Sequence, residues 1–83
     1  MSSEWPEIES RFMFSLRHPE DFDGRPLFGV MNKRQRTLLA EVFWYAPWRQ
    51  FCFRTASSKV VISHECAESL AAFCKALTER ATG

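Results

Sequence analysis

At 83 residues, with 46% hydrophobic residues, 14% aromatic residues and a formal net charge of +1, the chain is long enough for one thin core and too nearly neutral for a generic polyanion binder. Its three cysteines include no Cys-x-x-Cys pair, and its two histidines, His18 and His64, lie far from ligand spacing, which leaves no frame for zinc. No basic start leads into an apolar run and no stretch of about 18 consecutive apolar residues occurs, so the expectation is a reduced, soluble, cytoplasmic single domain over 1–83 that makes no use of a membrane.

Residues 1–9 are polar and are expected to be flexible. From Arg11 to Arg17, Phe12, Phe14 and Leu16 alternate with Arg11, Met13, Ser15 and Arg17, the period-2 pattern of a half-buried strand. The following His18–Pro26 segment holds two prolines and Gly24 and reads as a loop, with Leu27 and Phe28 pinning it to the core. Asn32–Thr37 is polar and basic, suited to a turn or a short helix.

Leu38–Tyr45 and Trp48–Thr55 are two runs of strand-forming residues around Ala46-Pro47 and predict an antiparallel hairpin. Pro47 is ill suited to a two-residue turn, which favours a four-residue loop or a cis bond. An even-length loop sets Trp44 opposite Arg49, Val42 opposite Phe51 and Ala40 opposite Phe53. One face then carries Leu38, Ala40, Val42, Trp44, Phe51 and Phe53 toward the core. The other carries Leu39, Glu41, Phe43, Tyr45, Trp48, Gln50, Cys52 and Arg54, and a three-residue loop would exchange the two sets.

Lys59–Ile62 reads as a short further strand, and Ser63 as the cap of a helix with Glu65 at its positive end. Cys66, Leu70, Phe73, Cys74 and Leu77 form a single apolar stripe on that helix. The fold class that follows is α+β: a small antiparallel sheet of three to four strands around a central hairpin, with one amphipathic C-terminal helix packed on one face.

Charge is unevenly spread, with a net of −4 over residues 1–24, +6 over 25–59 and −1 over 60–83. The basic third contains the segment 43–53, which holds six of the chain's twelve aromatic residues. One thin core cannot absorb them all, so Phe43, Tyr45, Trp48, Arg49, Gln50 and Arg54 are the candidate binding residues. Trp, Tyr and Arg are the types that dominate protein hot spots. The same residues suit single-stranded nucleic acid, with bases stacked on rings and cations on phosphates. A self-complementary face would instead make a homodimer. A purely structural account also stands, in which Trp44, Phe51 and Phe53 fill the core while Tyr45 and Trp48 cover the hairpin tip.

Catalytic patterns are weak by comparison. Glu20, Asp21 and Asp23 form an acidic loop without the glycine and bidentate glutamate of a calcium site. Cys52 or Cys66 with His64 lacks an orienting third group, and the three glycines make no phosphate loop. Neither an enzyme nor a cofactor or metal site is expected.

The stretch Trp44-Tyr45-Ala46-Pro47-Trp48-Arg49-Gln50-Phe51-Cys52-Phe53, followed by Val61-Ile62-Ser63 and a helix near Cys66, resembles a family of small uncharacterised proteins encoded by bacteriophages and prophages. In that family the block runs Trp-Tyr-x-x-Trp-Arg-x-Tyr-x-Phe, often continues Phe-Pro, and leads to a helix that starts Cys-Leu. Here Phe51 replaces the usual Tyr, Arg54-Thr55 stands at the Phe-Pro position, and Ala67 follows Cys66. The resemblance covers roughly residues 38–80 and implies a phage protein acting in the host cytoplasm. Docking on a host protein or defence complex, as an anti-CRISPR or other inhibitor does, is the role it suggests.

Overall fold

Alternation of large apolar and polar side chains gives four antiparallel strands in a simple meander, and a single amphipathic helix covers one face of them. The computed structural model describes residues 5–83: β1 (Met13–Arg17), β2 (Phe28–Asn32), β3 (Leu38–Tyr45), β4 (Gln50–Thr55) and α1 (His64–Thr82). The sheet order is β1-β2-β3-β4, so every neighbour in sequence is a neighbour in space. The α+β class read from the sequence is the class observed.

The core lies between the inner face of the sheet and α1. Met13, Phe28, Val30, Ala40, Val42, Trp44 and Phe51 from the sheet meet Leu70, Phe73, Cys74 and Leu77 from the helix. Phe28 and Phe73 meet edge to face at 5.4 Å. The helix stripe is the one its spacing predicts, with Cys66 half-buried at its start. Ser63 caps it by accepting the Cys66 N–H at 3.2 Å, and Glu65 occupies its first turn.

Several local expectations need correction. In β1 it is Met13 that is buried, while Phe12 and Leu16 stand out on the opposite side. The phase follows β2, because Ser15 pairs with the buried Val30 and the Ser15 hydroxyl accepts the Ile8 N–H. Strand β2 has no counterpart among the expected elements: Phe28 reaches the core as expected, but Gly29 and Asn32 mask the Phe28/Val30 alternation, and Asn32 ends a strand instead of opening a turn or helix. Lys59–Ile62 forms no strand and simply carries the chain to Ser63.

The central hairpin pairs Tyr45 with Gln50, Trp44 with Phe51 and Val42 with Phe53, two residues away from the expected register. The loop is four residues, Ala46–Arg49, and its peptide bonds are trans. An even shift preserves the faces, so Ala40, Val42, Trp44 and Phe51 are buried as expected. Leu38 is not: an irregularity opposite Val30/Met31 adds Leu39 to β3 and turns Leu38 outward, where its Cδ1 sits 3.2 Å from the place a Cβ on Gly29 would take. Phe53, near the free end of β4, is 38% exposed.

Of the 1–9 segment expected to be flexible, residues 1–4 lie outside the described residues. Ile8 is buried, and Trp5 meets Phe51 edge to face at 6.0 Å. The 18–26 loop contains its own small hairpin, in which Phe22 and Arg25 bridge across Asp23 and Gly24, both at positive φ. Asp-Gly is the pair such a two-residue turn favours, because both central residues must enter the left-handed region.

Candidate interaction face

The tip of the β3–β4 hairpin is a short 3-10 turn, Ala46–Trp48, closed by Arg49 in the left-handed conformation at φ 52°. Pro47 presets the first part of this turn, and the Arg49 N–H donates to the Ala46 carbonyl at 3.1 Å. This geometry lifts the Trp48 ring out of the core, leaving it 65% exposed. Its edge rests on Tyr45, with centroids 4.8 Å apart and planes at 78°.

Period-2 alternation then places Phe43 on the same outer face as Tyr45, at 6.4 Å, and Phe22 reaches over from the Asp23-Gly24 hairpin to meet Phe43 at 5.7 Å. Phe22, Phe43, Tyr45 and Trp48 thus form a continuous edge-to-face run, the arrangement preferred by ring quadrupoles. Arg54 lies over the Phe43 ring at 5.1 Å and also donates to Glu41 through Nε and Nη2, at 3.2 and 3.1 Å. Gln50 stands opposite Tyr45, and Arg49 projects from the turn with no ion pair among the described residues.

Of the six candidate residues, Phe43, Tyr45, Trp48 and Arg54 are joined through ring contacts, Gln50 flanks them, and Arg49 stands at the tip. Phe22 was missed by sequence reasoning, although its Asp-Gly turn was the available signal. Its neighbour across that turn, Arg25, takes the other side of β3 and caps the Trp44 ring at 4.1 Å. The rest of the outer face carries Phe14, Leu16, Met31 and Leu38, around the central Glu41–Arg54 pair.

A groove of about 460 Å³ runs beside β4, between that strand and α1, and its lining includes Cys52, Phe53, Ala71, Cys74 and Lys75. The thiols here are suited to packing. Burial pushes the Cys74 thiol up to about 12, with the neighbouring Cys52 adding to it, and burial raises Cys52 as well. Both therefore stay protonated, and so weakly nucleophilic, near neutral pH.

The acidic loop is occupied with local contacts: Asp21 accepts from Arg17 at 3.2 Å, and Asp23 is a turn residue. His18 engages the backbone of Glu20 through Nδ1. Among the described residues no three His, Cys, Asp or Glu side chains group as a metal site, and no helix is long and apolar enough to cross a membrane. Comparison with protein-family models, with curated proteins and with solved structures finds no match to this chain.

Proposed function

We propose that this chain is a non-enzymatic binding protein that docks on another protein through the outer face of its sheet, with Phe43, Tyr45, Trp48, Arg49, Gln50 and Arg54 at the contact. The observation that carries this reading is the edge-to-face run Phe22–Phe43–Tyr45–Trp48, which starts on the face opposite the helix-covered core and ends at the hairpin tip, where Trp48 also borders the groove beside α1. Rigid aromatic rings flanked by arginine lose little conformational entropy on binding and bury large areas, the properties of interface anchors. An exposed apolar cluster of this kind in so small a domain is what a docking surface requires. The resemblance to phage-encoded proteins points to a host protein or defence complex as the partner, and to inhibition as the role.

Arg54 over Phe43 also supports the alternative of single-stranded nucleic acid, in which bases would stack beside the guanidinium. Affinity capture from host lysate, with and without nuclease, tests both. The wild type is expected to retain its partners after nuclease treatment, and a Tyr45→Ala, Trp48→Ala double variant to lose them. Identical capture by the two proteins would rule out the outer face. Partners that vanish with nuclease, and an affinity that falls steeply with salt, would favour nucleic acid.

A further inference from the structure

The outer face has a second end. β3 leaves the β2–β3 turn at Leu38 and reaches the aromatic tip at Tyr45, roughly 25 Å away at the rise of a strand. At the turn end the chain gathers Arg11, Lys33, Arg34 and Arg36 around Phe12 and Phe14. Arg11 lies over Phe12 at 4.9 Å and Arg36 over Phe14 at 5.4 Å. None of these cations forms an ion pair among the described residues, where the ion pairs are Arg17–Asp21 and Arg54–Glu41.

The turn that carries Lys33, Arg34 and Arg36 is fixed by backbone and side-chain bonds. Asn32 Oδ1 accepts the Arg34 and Gln35 N–H groups, both at 2.8 Å, and its own N–H donates to Thr37 O at 2.9 Å. The Lys33 N–H donates to Phe12 O at 2.9 Å, and Lys33 Nζ donates to Ser10 O at 2.9 Å while keeping two further donors. An anion arriving here meets a preformed turn on which Lys33 Nζ is hydrogen-bonded and the Arg11 and Arg36 guanidinium groups rest on rings, which lowers part of the ordering cost of binding.

Resting on the reading that the outer face docks on protein, we infer that the corner built by Arg11, Lys33, Arg34 and Arg36 is a second contact point that receives an acidic segment of the partner polypeptide. Charge complementarity selects an acidic segment. The border of the corner selects polypeptide over nucleic acid: Glu9, Glu65 and Glu68 line the adjoining depression together with Arg11 and Phe12. A strand with a phosphate at every nucleotide would run from the cations onto these carboxylates. A short acidic stretch ends before them. The partner is then bipartite, with an apolar site for Trp48 and acidic residues about 25 Å from it.

The test uses the full chain and two fluorescein-labelled probes, a peptide with four consecutive Glu/Asp residues flanked by Gly and Ser and without aromatics, and a twelve-nucleotide oligothymidylate, with anisotropy read at low and moderate salt. The peptide is expected to bind wild type and Trp48→Ala alike, and to lose at least tenfold in affinity for a Lys33→Gln, Arg34→Gln double variant. Arg34→Glu, at a side chain with no ion pair or ring contact among the described residues, repeats the test if loss of the Lys33–Ser10 bond loosens the fold. Absence of peptide binding at low salt, or binding unchanged in the charge variants, would overturn the inference. Tighter binding of the oligothymidylate with the same sensitivity would replace it with a nucleic-acid corner. Neither result touches the aromatic tip, which capture with the Tyr45→Ala, Trp48→Ala variant tests separately.

Discussion

The inner and outer faces of this sheet are laid down by the same strands, one residue apart, yet they differ in how their aromatic rings are used. Inside, Trp44, Phe28 and Phe51 are 6%, 5% and 3% exposed and are locked against α1 or one another. Outside, Phe22, Phe43, Tyr45 and Trp48 meet one another edge to face, with Arg54 over Phe43 and Trp48 bordering the groove beside α1. The contrast teaches that aromatic content alone does not measure core size. Among the described residues α1 covers one face only, and the rings on the other face remain in contact with solvent.

Substitutions on the two faces should therefore separate stability from binding. Leu77→Ala, at a fully buried helix position, is expected to cost about 2–5 kcal/mol. That is comparable with the whole stability of about 4–12 kcal/mol expected for a domain this size, so thermal unfolding by circular dichroism should shift far down or lose its cooperativity. Thr78→Val is the next largest. The Thr78 hydroxyl accepts the Phe51 N–H at 2.8 Å and donates to Cys74 O at 2.8 Å, and removing it should cost about 1–3 kcal/mol in urea unfolding, with Thr78→Ser recovering most of the loss.

The inner layer should also be sensitive to alkali. The Cys74 thiol is raised from about 9 to about 12, so its stabilising contribution is present below pH 9 and is lost as pH rises toward 12, because the unfolded chain releases its proton first. Unfolding midpoints should fall over that window and fall less in Cys74→Ala, measured against that variant's own neutral-pH stability. At neutral pH, iodoacetamide should reach Cys74 last of the three thiols.

Smaller effects belong to the outer side. Arg49→Gly is expected to stabilise by about 0.5–1 kcal/mol, since glycine relieves the left-handed backbone at a modest entropic cost. Trp48→Ala should change stability by about 0.5 kcal/mol or less while abolishing partner capture. A large loss of stability from Trp48→Ala would erase the distinction between the faces.

How far the sequence revealed these faces depended on how many ways each segment could be satisfied. The α1 stripe was legible because Leu70, Phe73, Cys74 and Leu77 share one side at helical spacing and nothing competes with them. The faces of β3 and β4 next to the tip were legible because the loop around Pro47 keeps even length, even though the pairing slid by two residues, whereas at the far ends Leu38 and Leu39 exchange sides and Phe53 is exposed. β1 was different: Phe12, Phe14 and Leu16 make the bulkier set, yet Met13 is inside, because phase was decided by β2 and by the Ile8–Ser15 bond, neither of which is local. β2 is only five residues long and includes Gly29, too little pattern to read. For the same reason Phe22 could not be placed beside Phe43 before the Asp23-Gly24 turn was seen to fold it there.

The bond between Phe51 and Thr78 reaches beyond the stability of one molecule. β4 is the last strand of the sheet, and such margins invite lateral growth into fibres when their amide donors are vacant. The helix hydroxyl already holds the Phe51 donor, so a second strand laid alongside would find its hydrogen-bond ladder broken near the hairpin end of β4. Backbone pairing is interrupted at this margin, so the helix that covers the core also guards one edge of the sheet against a second copy of the chain.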